Sequence, residues 1–114
     1  NKVPSFNVIG NSPLVLRESL LDEVYKMGEN FVEAAKRVVS PGMNGPFCIE
    51  GVYDENAKFT SFEFSARIVA GSNIYMDGSP YYSLLFNETM SMGKRIAREV
   101  KTATEANQLD KVTT

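Results

Sequence analysis

Two stretches rich in apolar residues, PFCIEGVY at 46–53 and KFTSFEFSARIV at 58–69, flank the polar tetrapeptide DENA at 54–57 and decide the fold of this chain. Phe, Val, Ile, Thr and Tyr are enriched in β-strands, whereas Asp, Glu and Asn are typical of the turns between them. Two such stretches with a short polar connection predict an antiparallel β-hairpin. We therefore expect strands at 46–53 and 58–69.

The register of this hairpin determines which side chains share a face. A turn at 54–57 makes Glu50 face Ser61 and makes Glu63 face Cys48. Because side chains alternate along a strand, the two glutamates then emerge on one face as diagonal neighbours, with Cα atoms about 7–8 Å apart. A three-residue loop would shift the register by one and would place the glutamates on opposite faces.

Two carboxylates in this arrangement need a positive partner. They repel each other unless a positive group lies between them or one of them binds a proton. Mg²⁺ takes few protein carboxylates and fills its remaining positions with phosphate oxygens, so Glu50 and Glu63 form a candidate metal site. Arg67, two residues beyond Ser65 on the same predicted face, is placed to hold a phosphoryl group. The alternative is a solvated sheet face on which Arg67 pairs with one glutamate.

Helical periodicity predicts two further elements. Apolar residues recur at steps of three and four residues within 13–39, which indicates an amphipathic helix. We expect it to pack on the hairpin face that carries Phe62 and Phe64. A second helix with a basic outer face is expected from Ser91, and the stretch 71–82 has the composition of an irregular loop. The order helix, hairpin, loop, helix predicts an α+β fold.

Composition excludes several classes of function. The 114 residues include 12 Lys+Arg and 14 Asp+Glu, a formal net charge of -2, and no histidine. The absence of histidine removes Ser-His and Cys-His nucleophile pairs and His-ligated zinc sites. A single cysteine, Cys48, excludes an internal disulfide and indicates a reducing compartment such as the cytoplasm. The acidic balance argues against nucleic-acid binding, and no apolar run is long enough for a membrane span.

Several stretches together resemble one family of enzymes. They are GPFCIEG at 45–51, FEFSARIVAGSN at 62–73, YMDGSPY at 75–81 and SMGKRIA at 91–97, with GNSP at 10–13 and RESLL at 17–21. They resemble the C-terminal region of the archaeal formate-dependent 5-formaminoimidazole-4-carboxamide ribonucleotide (FAICAR) synthetases, which are ATP-grasp ligases. The resemblance covers nearly the whole chain. It implies that 1–114 is the C-terminal part of an ATP-grasp domain in a longer protein.

The resemblance implies a reaction of purine biosynthesis. Formate would attack the γ-phosphoryl group of ATP to give formyl phosphate, and the amine of aminoimidazole carboxamide ribonucleotide would then displace phosphate. By the same resemblance, Glu50 and Glu63 bind Mg²⁺ or Mn²⁺. The resemblance also implies that Asn11 contacts the nucleotide substrate, and Arg67 fits a clamp on the phosphoryl group or the intermediate. Many ATP-grasp ligases carry Asn where this chain has Ser65, so Ser65 is not taken as a ligand.

The expected partners follow from this reaction. They are the small molecules ATP, formate and aminoimidazole carboxamide ribonucleotide. We expect no nucleic acid and no membrane as a partner. Formation of a homo-oligomer is left open. Two other functions remain open as well. One is a related ATP-grasp ligase that joins a different carboxylate and amine. The other is a non-catalytic oligomerisation domain on the same fold.

Single residues also have alternative interpretations. Asn11 lies in a Gly-Asn-Ser-Pro turn, where asparagine is often structural. Arg17 at a helix start is unfavourable for the helix dipole, which suggests a phosphate contact, but a surface arginine is the simpler interpretation. For Tyr75, Tyr81 and Tyr82, we expect packing at the hairpin edge rather than a purine pocket.

Overall fold

The computed structural model describes residues 3–5 and 7–113 and shows an α+β fold, as predicted. Within these residues, one long helix precedes a two-stranded antiparallel sheet, and two further helices follow it. The elements are α1 (Leu21–Val38), β1 (Cys48–Tyr53), β2 (Phe59–Ser65), α2 (Tyr82–Phe86) and α3 (Met92–Glu105). Short 3₁₀ helices lie at Glu18–Leu20, Ala70–Ile74 and Leu109–Lys111.

The first helix is shorter than the apolar periodicity predicts. The spacing predicts a helix over 13–39, but α1 begins at Leu21 after a 3₁₀ turn. Arg17, just before that turn, is extended, with φ -61° and ψ 143°. The start of the predicted helix is wrong because the backbone groups of Leu14 and Leu16 bond to tyrosine side chains far along the chain rather than within a helix.

Phe31 connects α1 to the hairpin. Its ring centroid lies 5.0 Å from that of Phe47 and 5.0 Å from that of Phe64. The predicted packing of the first helix on the face that carries Phe64 is therefore confirmed. The helix covers this face of the hairpin only in part, because Phe64 stays 58% exposed and Phe62 66% exposed. Val38, the last apolar residue of α1, is 80% exposed. The expected core is thus an open aromatic cluster.

The hairpin turn is organised by one aspartate. The Asp54 carboxylate accepts hydrogen bonds from the backbone N–H of Asn56 at 2.9 Å and of Lys58 at 2.8 Å. The Asp54 N–H in turn donates to the Lys58 carbonyl at 3.1 Å. The first ladder pair is Tyr53 with Phe59 rather than with Lys58. The connection is therefore one residue longer than predicted.

The chain after the hairpin contains the best-buried side chain. Met90 is 3% exposed, and it is the one buried residue within the described part of the chain. Gly78 has φ +84°, and a Cβ there would lie 2.7 Å from the Met90 carbonyl carbon, so only glycine fits. The stretch 71–82 is not wholly irregular, because it includes a 3₁₀ turn and leads into α2. The predicted start of α3 is confirmed, since the Ser91 hydroxyl accepts from the Lys94 N–H at 3.2 Å and caps the helix.

The molecule is elongated for its length. Its principal extents are 57 × 34 × 27 Å and its radius of gyration is 16.3 Å, against about 13 Å for a rounded domain of this size. A long shape encloses little volume, which explains why most apolar side chains are half-buried or exposed. Among the described helices, none combines the length and the apolar composition needed to cross a membrane.

Candidate metal and substrate site

The hairpin brings the two predicted metal ligands together. Glu50 of β1 is the direct ladder partner of Glu63 of β2, and Cys48 is the partner of Ser65. Paired residues in an antiparallel ladder have Cα atoms about 4.5–5.5 Å apart and side chains on the same face. The second pair lies two residues along each strand and shares that face. These four residues (Cys48, Glu50, Glu63 and Ser65) are termed the glutamate face.

The glutamates share a face, as predicted, but through a different register. The predicted pairs, Glu50 with Ser61 and Glu63 with Cys48, are wrong. Ser61 instead pairs with Gly51, and an irregularity between Glu50 and Gly51 then brings Glu50 opposite Glu63. The longer turn accounts for the first shift of the register, and a β-bulge accounts for the second.

The bulge is what places the glutamates on one face. Phe62 is the extra residue of β2, since it lies between the partner of Gly51 and the partner of Glu50. Continued without the bulge, the register near the turn would pair Glu63 with Ile49 and would send the two glutamates to opposite faces. One inserted residue therefore restores the alternation on which the candidate metal site depends.

Gly51 allows the strands to approach beside the bulge. A Cβ at this position would lie 2.5 Å from the carbonyl oxygen of Thr60 and would overlap the Phe59 ring. That ring packs against Tyr53, with centroids 5.0 Å apart. The backbone and the ring leave no room for a side chain, so a glycine is required next to Glu50.

The charges near the glutamate face act on the thiol of Cys48. Burial raises the pKa of Cys48, and the negative charge of Glu50 raises it further. The positive charge of Arg67 lowers this pKa, and Glu63 raises it. Glu50 is half-buried, whereas Glu63 is exposed. All three charged groups thus influence the pKa of this one thiol.

The two arginines considered as phosphate contacts are both exposed. Arg67 lies beyond β2, which ends at Ser65 rather than continuing to residue 69. Its Nη1 donates to the Ile68 carbonyl at 3.1 Å. That bond uses one of the five N–H groups of a guanidinium, and a bidentate contact to an oxyanion needs two more. Arg17 lies at the N-terminus of the 3₁₀ turn before α1.

The donor set of the glutamate face suits a hard divalent cation. Carboxylate oxygens are the ligands that Mg²⁺ and Mn²⁺ prefer. Within residues 3–5 and 7–113, no three His, Cys, Asp or Glu side chains cluster closely enough to hold a metal ion. A cation held by Glu50 and Glu63 would need further oxygen ligands from elsewhere, and the phosphates of a nucleotide are one source. The pair therefore fits a site shared between protein and nucleotide.

An apolar cleft of about 310 Å³ lies between α1 and β2. Its lining is mostly aromatic and aliphatic, and consists of Met27, Phe31, Ile49, Ser61, Phe62, Glu63 and Phe64. Such a lining suits apolar groups rather than a triphosphate. The reverse of the glutamate face is thus mostly apolar, and Glu63 also contributes to the lining of this cleft.

Asn11, the predicted substrate contact, is exposed in a segment without regular secondary structure. Two tyrosine hydroxyls hold the chain just after it. The Tyr75 hydroxyl accepts from the N–H of Leu14 at 3.0 Å and donates to its carbonyl at 3.1 Å. The Tyr81 hydroxyl accepts from the N–H of Leu16 at 2.7 Å and donates to its carbonyl at 3.3 Å. This arrangement of two tyrosines on two backbone residues is termed the tyrosine clamp.

The clamp corrects the expectation for the three tyrosines. Packing at the hairpin edge is wrong for Tyr75 and Tyr81, whose hydroxyls bind the backbone before α1. Tyr82 packs against Phe86 instead, with ring centroids 6.0 Å apart. Sequence reasoning missed the clamp because its acceptors and donors are backbone groups, which every residue carries. Only the Tyr-x₅-Tyr spacing at 75–81 marks it, and that spacing has no fixed meaning.

The basic residues of α3 interact with an acidic and an aromatic side chain just before the helix. Glu88 accepts from Lys94 at 2.6 Å and from Arg98 at 3.0 Å. The hydrogen bond and charge of Lys94, followed by the charge of Arg98, hold the pKa of Glu88 below its usual value. The guanidinium groups of Arg95 and Arg98 lie 4.6 and 4.5 Å from the centroid of the Phe86 ring. These cations therefore stabilise the junction between α2 and α3.

Comparison with known proteins shows which family this chain belongs to. The whole chain, residues 1–114, matches the family described as "Domain of unknown function (DUF1297)". The chain belongs to this family. A relative from Nitrosopumilus maritimus, named 5-formaminoimidazole-4-carboxamide-1-(beta)-D-ribofuranosyl 5'-monophosphate synthetase, is 93% identical over 114 residues. Proteins of the same name from Cenarchaeum symbiosum and Sulfurisphaera tokodaii are 71% identical over 112 residues and 53% identical over 111 residues.

The match covers only one region of these relatives. It includes 100%, 98% and 97% of this chain, respectively, but 33% of the length of each relative. The chain thus spans about a third of the length of the curated relatives it matches. The resemblance to archaeal FAICAR synthetases that the motifs indicate is confirmed for this DUF1297 region.

Proposed function

We propose that this DUF1297 chain is the metal-binding C-terminal part of an ATP-grasp ligase that formylates aminoimidazole carboxamide ribonucleotide in purine (IMP) biosynthesis. The observation that carries the proposal is the direct pairing of Glu50 with Glu63 across the bulged hairpin. The names of the relatives, synthetases of the formylated ribonucleotide, supply the substrate class. Because the chain spans a third of those relatives, the adenine site and most substrate contacts would lie in the rest of the protein. The chain alone would be inactive.

The proposed reaction proceeds in two transfers. A formate oxygen attacks the γ-phosphorus of ATP, and the bond from that phosphorus to the bridging oxygen breaks, which releases ADP and leaves formyl phosphate. The exocyclic amine of the ribonucleotide then attacks the formyl carbon, phosphate leaves with the electrons of the C–O bond, and the amine loses a proton. Formate and the phosphates are all anions, so the protein mainly has to position them and neutralise their charge. No step requires an imidazole, which agrees with a chain that contains no histidine.

Each candidate residue takes one role in this scheme. Glu50 and Glu63 would hold Mg²⁺ or Mn²⁺, which when bound neutralises phosphate charge during transfer. Arg67, whose charge lowers the pKa of Cys48 on the glutamate face, would contact the transferred phosphoryl group or the formyl phosphate. Asn11 offers a side-chain amide, with both donor and acceptor groups, to the nucleotide substrate.

The experiment uses the full-length parent protein with Glu50→Gln, Glu63→Gln and the double variant. Glutamine keeps the shape of the side chain and deletes its charge. We expect each single variant to lose about 100-fold or more in single-turnover rate. The double variant should be little slower, because two ligands of one ion act as a unit. Since the metal-free carboxylates repel each other, the melting temperature of the apo variants should equal or slightly exceed that of the wild type.

Glu55→Gln is the matched control, because Glu55 is an exposed glutamate in the turn of the same hairpin. It should keep the wild-type rate. Near-normal turnover in both single variants would refute the metal site. Isothermal titration that shows no binding of Mg²⁺-ATP, or binding unchanged by the double variant, would favour a non-catalytic oligomerisation domain. Turnover with another carboxylate or amine, but not with formate and this ribonucleotide, would favour a different ATP-grasp ligase.

A further inference from the structure

Along residues 14–16, two tyrosine hydroxyls form the backbone hydrogen bonds that a neighbouring strand would form in a sheet. In an extended chain, alternate residues present their N–H and C=O groups to the same side. Leu14 and Leu16 present theirs to Tyr75 and Tyr81, respectively. A hydroxyl donates one hydrogen bond and accepts others, so each tyrosine satisfies both backbone groups of one leucine. The clamp thus provides four hydrogen bonds from two side chains.

Packing contributes little to holding this segment in place. The side chains of Leu14 and Val15 are 74% and 60% exposed, and those of Val8 and Ile9 are 87% and 101% exposed. Side chains with this exposure bury little apolar area, and the hydrophobic contribution is proportional to buried area. Among the contacts of the described residues, the hydrogen bonds of the tyrosine clamp and the half-buried side chain of Leu16 therefore hold this segment.

The clamp also connects two parts of the candidate site. Tyr75 follows the 3₁₀ helix Ala70–Ile74, which itself follows Arg67 at the end of the glutamate hairpin. On the other side, Ser12 and Pro13 alone separate Asn11 from the first clamped residue. Proline fixes its own φ and restricts the residue before it to extended conformations, so this link of about 10 Å is stiff.

We propose that Tyr75 and Tyr81 are positioning residues for the nucleotide substrate, acting through Asn11. The inference rests on the proposed function, which makes Asn11 a substrate contact. The two hydroxyls anchor the segment to the chain that leaves the glutamate face, and the stiff link places the Asn11 amide. Phenylalanine at either position would keep the ring and remove the anchor.

The test compares Tyr75→Phe, Tyr81→Phe and the double variant in the full-length parent protein. Hydrogen exchange of the Leu14 and Leu16 amides should become faster in the variants, because these N–H groups lose their acceptor. The dissociation constant of aminoimidazole carboxamide ribonucleotide, measured by calorimetry, should rise about tenfold in the double variant. The dissociation constant of Mg²⁺-ATP should stay unchanged. Tyr82→Phe removes a hydroxyl from the adjacent tyrosine, which packs on Phe86, and should leave both measurements at wild-type values.

Three results would overturn the inference. The first is unchanged exchange in the double variant, and the second is faster exchange with an unchanged ribonucleotide affinity. The third is an equal loss of ribonucleotide and Mg²⁺-ATP affinity with a lower melting temperature, which would assign a structural role only. Wild-type turnover tests the proposed function separately. A parent protein that binds the ribonucleotide without formylating it would refute that function, while the binding data on the variants would still decide the positioning role.

Discussion

The glutamate hairpin and the segment around Asn11 each present candidate site residues, but they are held in different ways. Glu50 and Glu63 are placed by a ladder of main-chain pairs between two strands joined by a short turn. Asn11 precedes a segment that is held by the hydroxyls of Tyr75 and Tyr81. These tyrosines lie 61 and 65 positions further along the chain than Leu14 and Leu16, whose backbone groups they bind. One placement is local in sequence, and the other is long-range.

This difference predicts different responses to mutation. A ladder contains many bonds that support one another, so a change there alters the register or the stability of the hairpin. A clamp of two side chains has no such support, and each hydrogen bond contributes only about 1 kcal/mol. We therefore expect changes in the hairpin to affect folding and turnover, and changes in the segment to affect substrate affinity with little loss of stability.

The largest effect on folding should come from removing the helix support beneath the hairpin. Phe31→Ala deletes the ring that lies 5.0 Å from both Phe47 and Phe64. The ring is half-buried, so we expect a loss of about 2–3 kcal/mol in the free energy of unfolding, less than a fully buried phenylalanine would give. Urea unfolding of the full-length protein measures it, and Phe31→Leu should lose about half as much. A loss below about 1 kcal/mol would show that the hairpin does not depend on α1.

A smaller effect on folding, with a specific effect on the site, is expected from Gly51→Ala. The new Cβ would lie 2.5 Å from the Thr60 carbonyl oxygen, so the strands must separate or the bulge must move, at a cost of about 1–3 kcal/mol. A moved bulge would take Glu50 and Glu63 out of register and would lower metal-dependent turnover. Gly45→Ala is the control, because a Cβ there meets nothing within 4 Å. Wild-type stability and turnover in Gly51→Ala would contradict the role of the bulge.

The smallest effect on folding is expected from Asn11→Ala in the clamped segment. Its side chain is exposed, so the melting temperature of the full-length protein should stay the same. The dissociation constant of the nucleotide substrate should rise about tenfold, with the affinity for Mg²⁺-ATP unchanged. Ser12→Ala, the neighbouring exposed position, serves as the control. A lower melting temperature with wild-type affinity would identify Asn11 as a structural turn residue. The segment around Asn11 would then no longer count as part of the substrate site.

The parts of the fold that were predicted correctly depend on contacts between near neighbours. The start of α3 follows from Ser91, whose hydroxyl caps the helix through the N–H of Lys94, three residues on. The hairpin follows from strand composition on both sides of Asp54, whose carboxylate organises the turn. The stretch 13–17 lies within the predicted helix but is not helical, because the backbone groups of Leu14 and Leu16 bind the hydroxyls of Tyr75 and Tyr81. Periodicity could not indicate partners so far along the chain.

The sequence by itself determined the α+β class and the hairpin, because composition and alternation act over a few residues. The common face of Glu50 and Glu63 depends on the register of the strands. Only the tertiary structure decided the register and the clamp. The bulge at Phe62 depends on how closely the strands approach beside Gly51, and the clamp depends on side chains that meet backbone groups from a distant segment. Backbone N–H and C=O groups are the same in every residue, so a sequence contains no signal for which of them a tyrosine will bind.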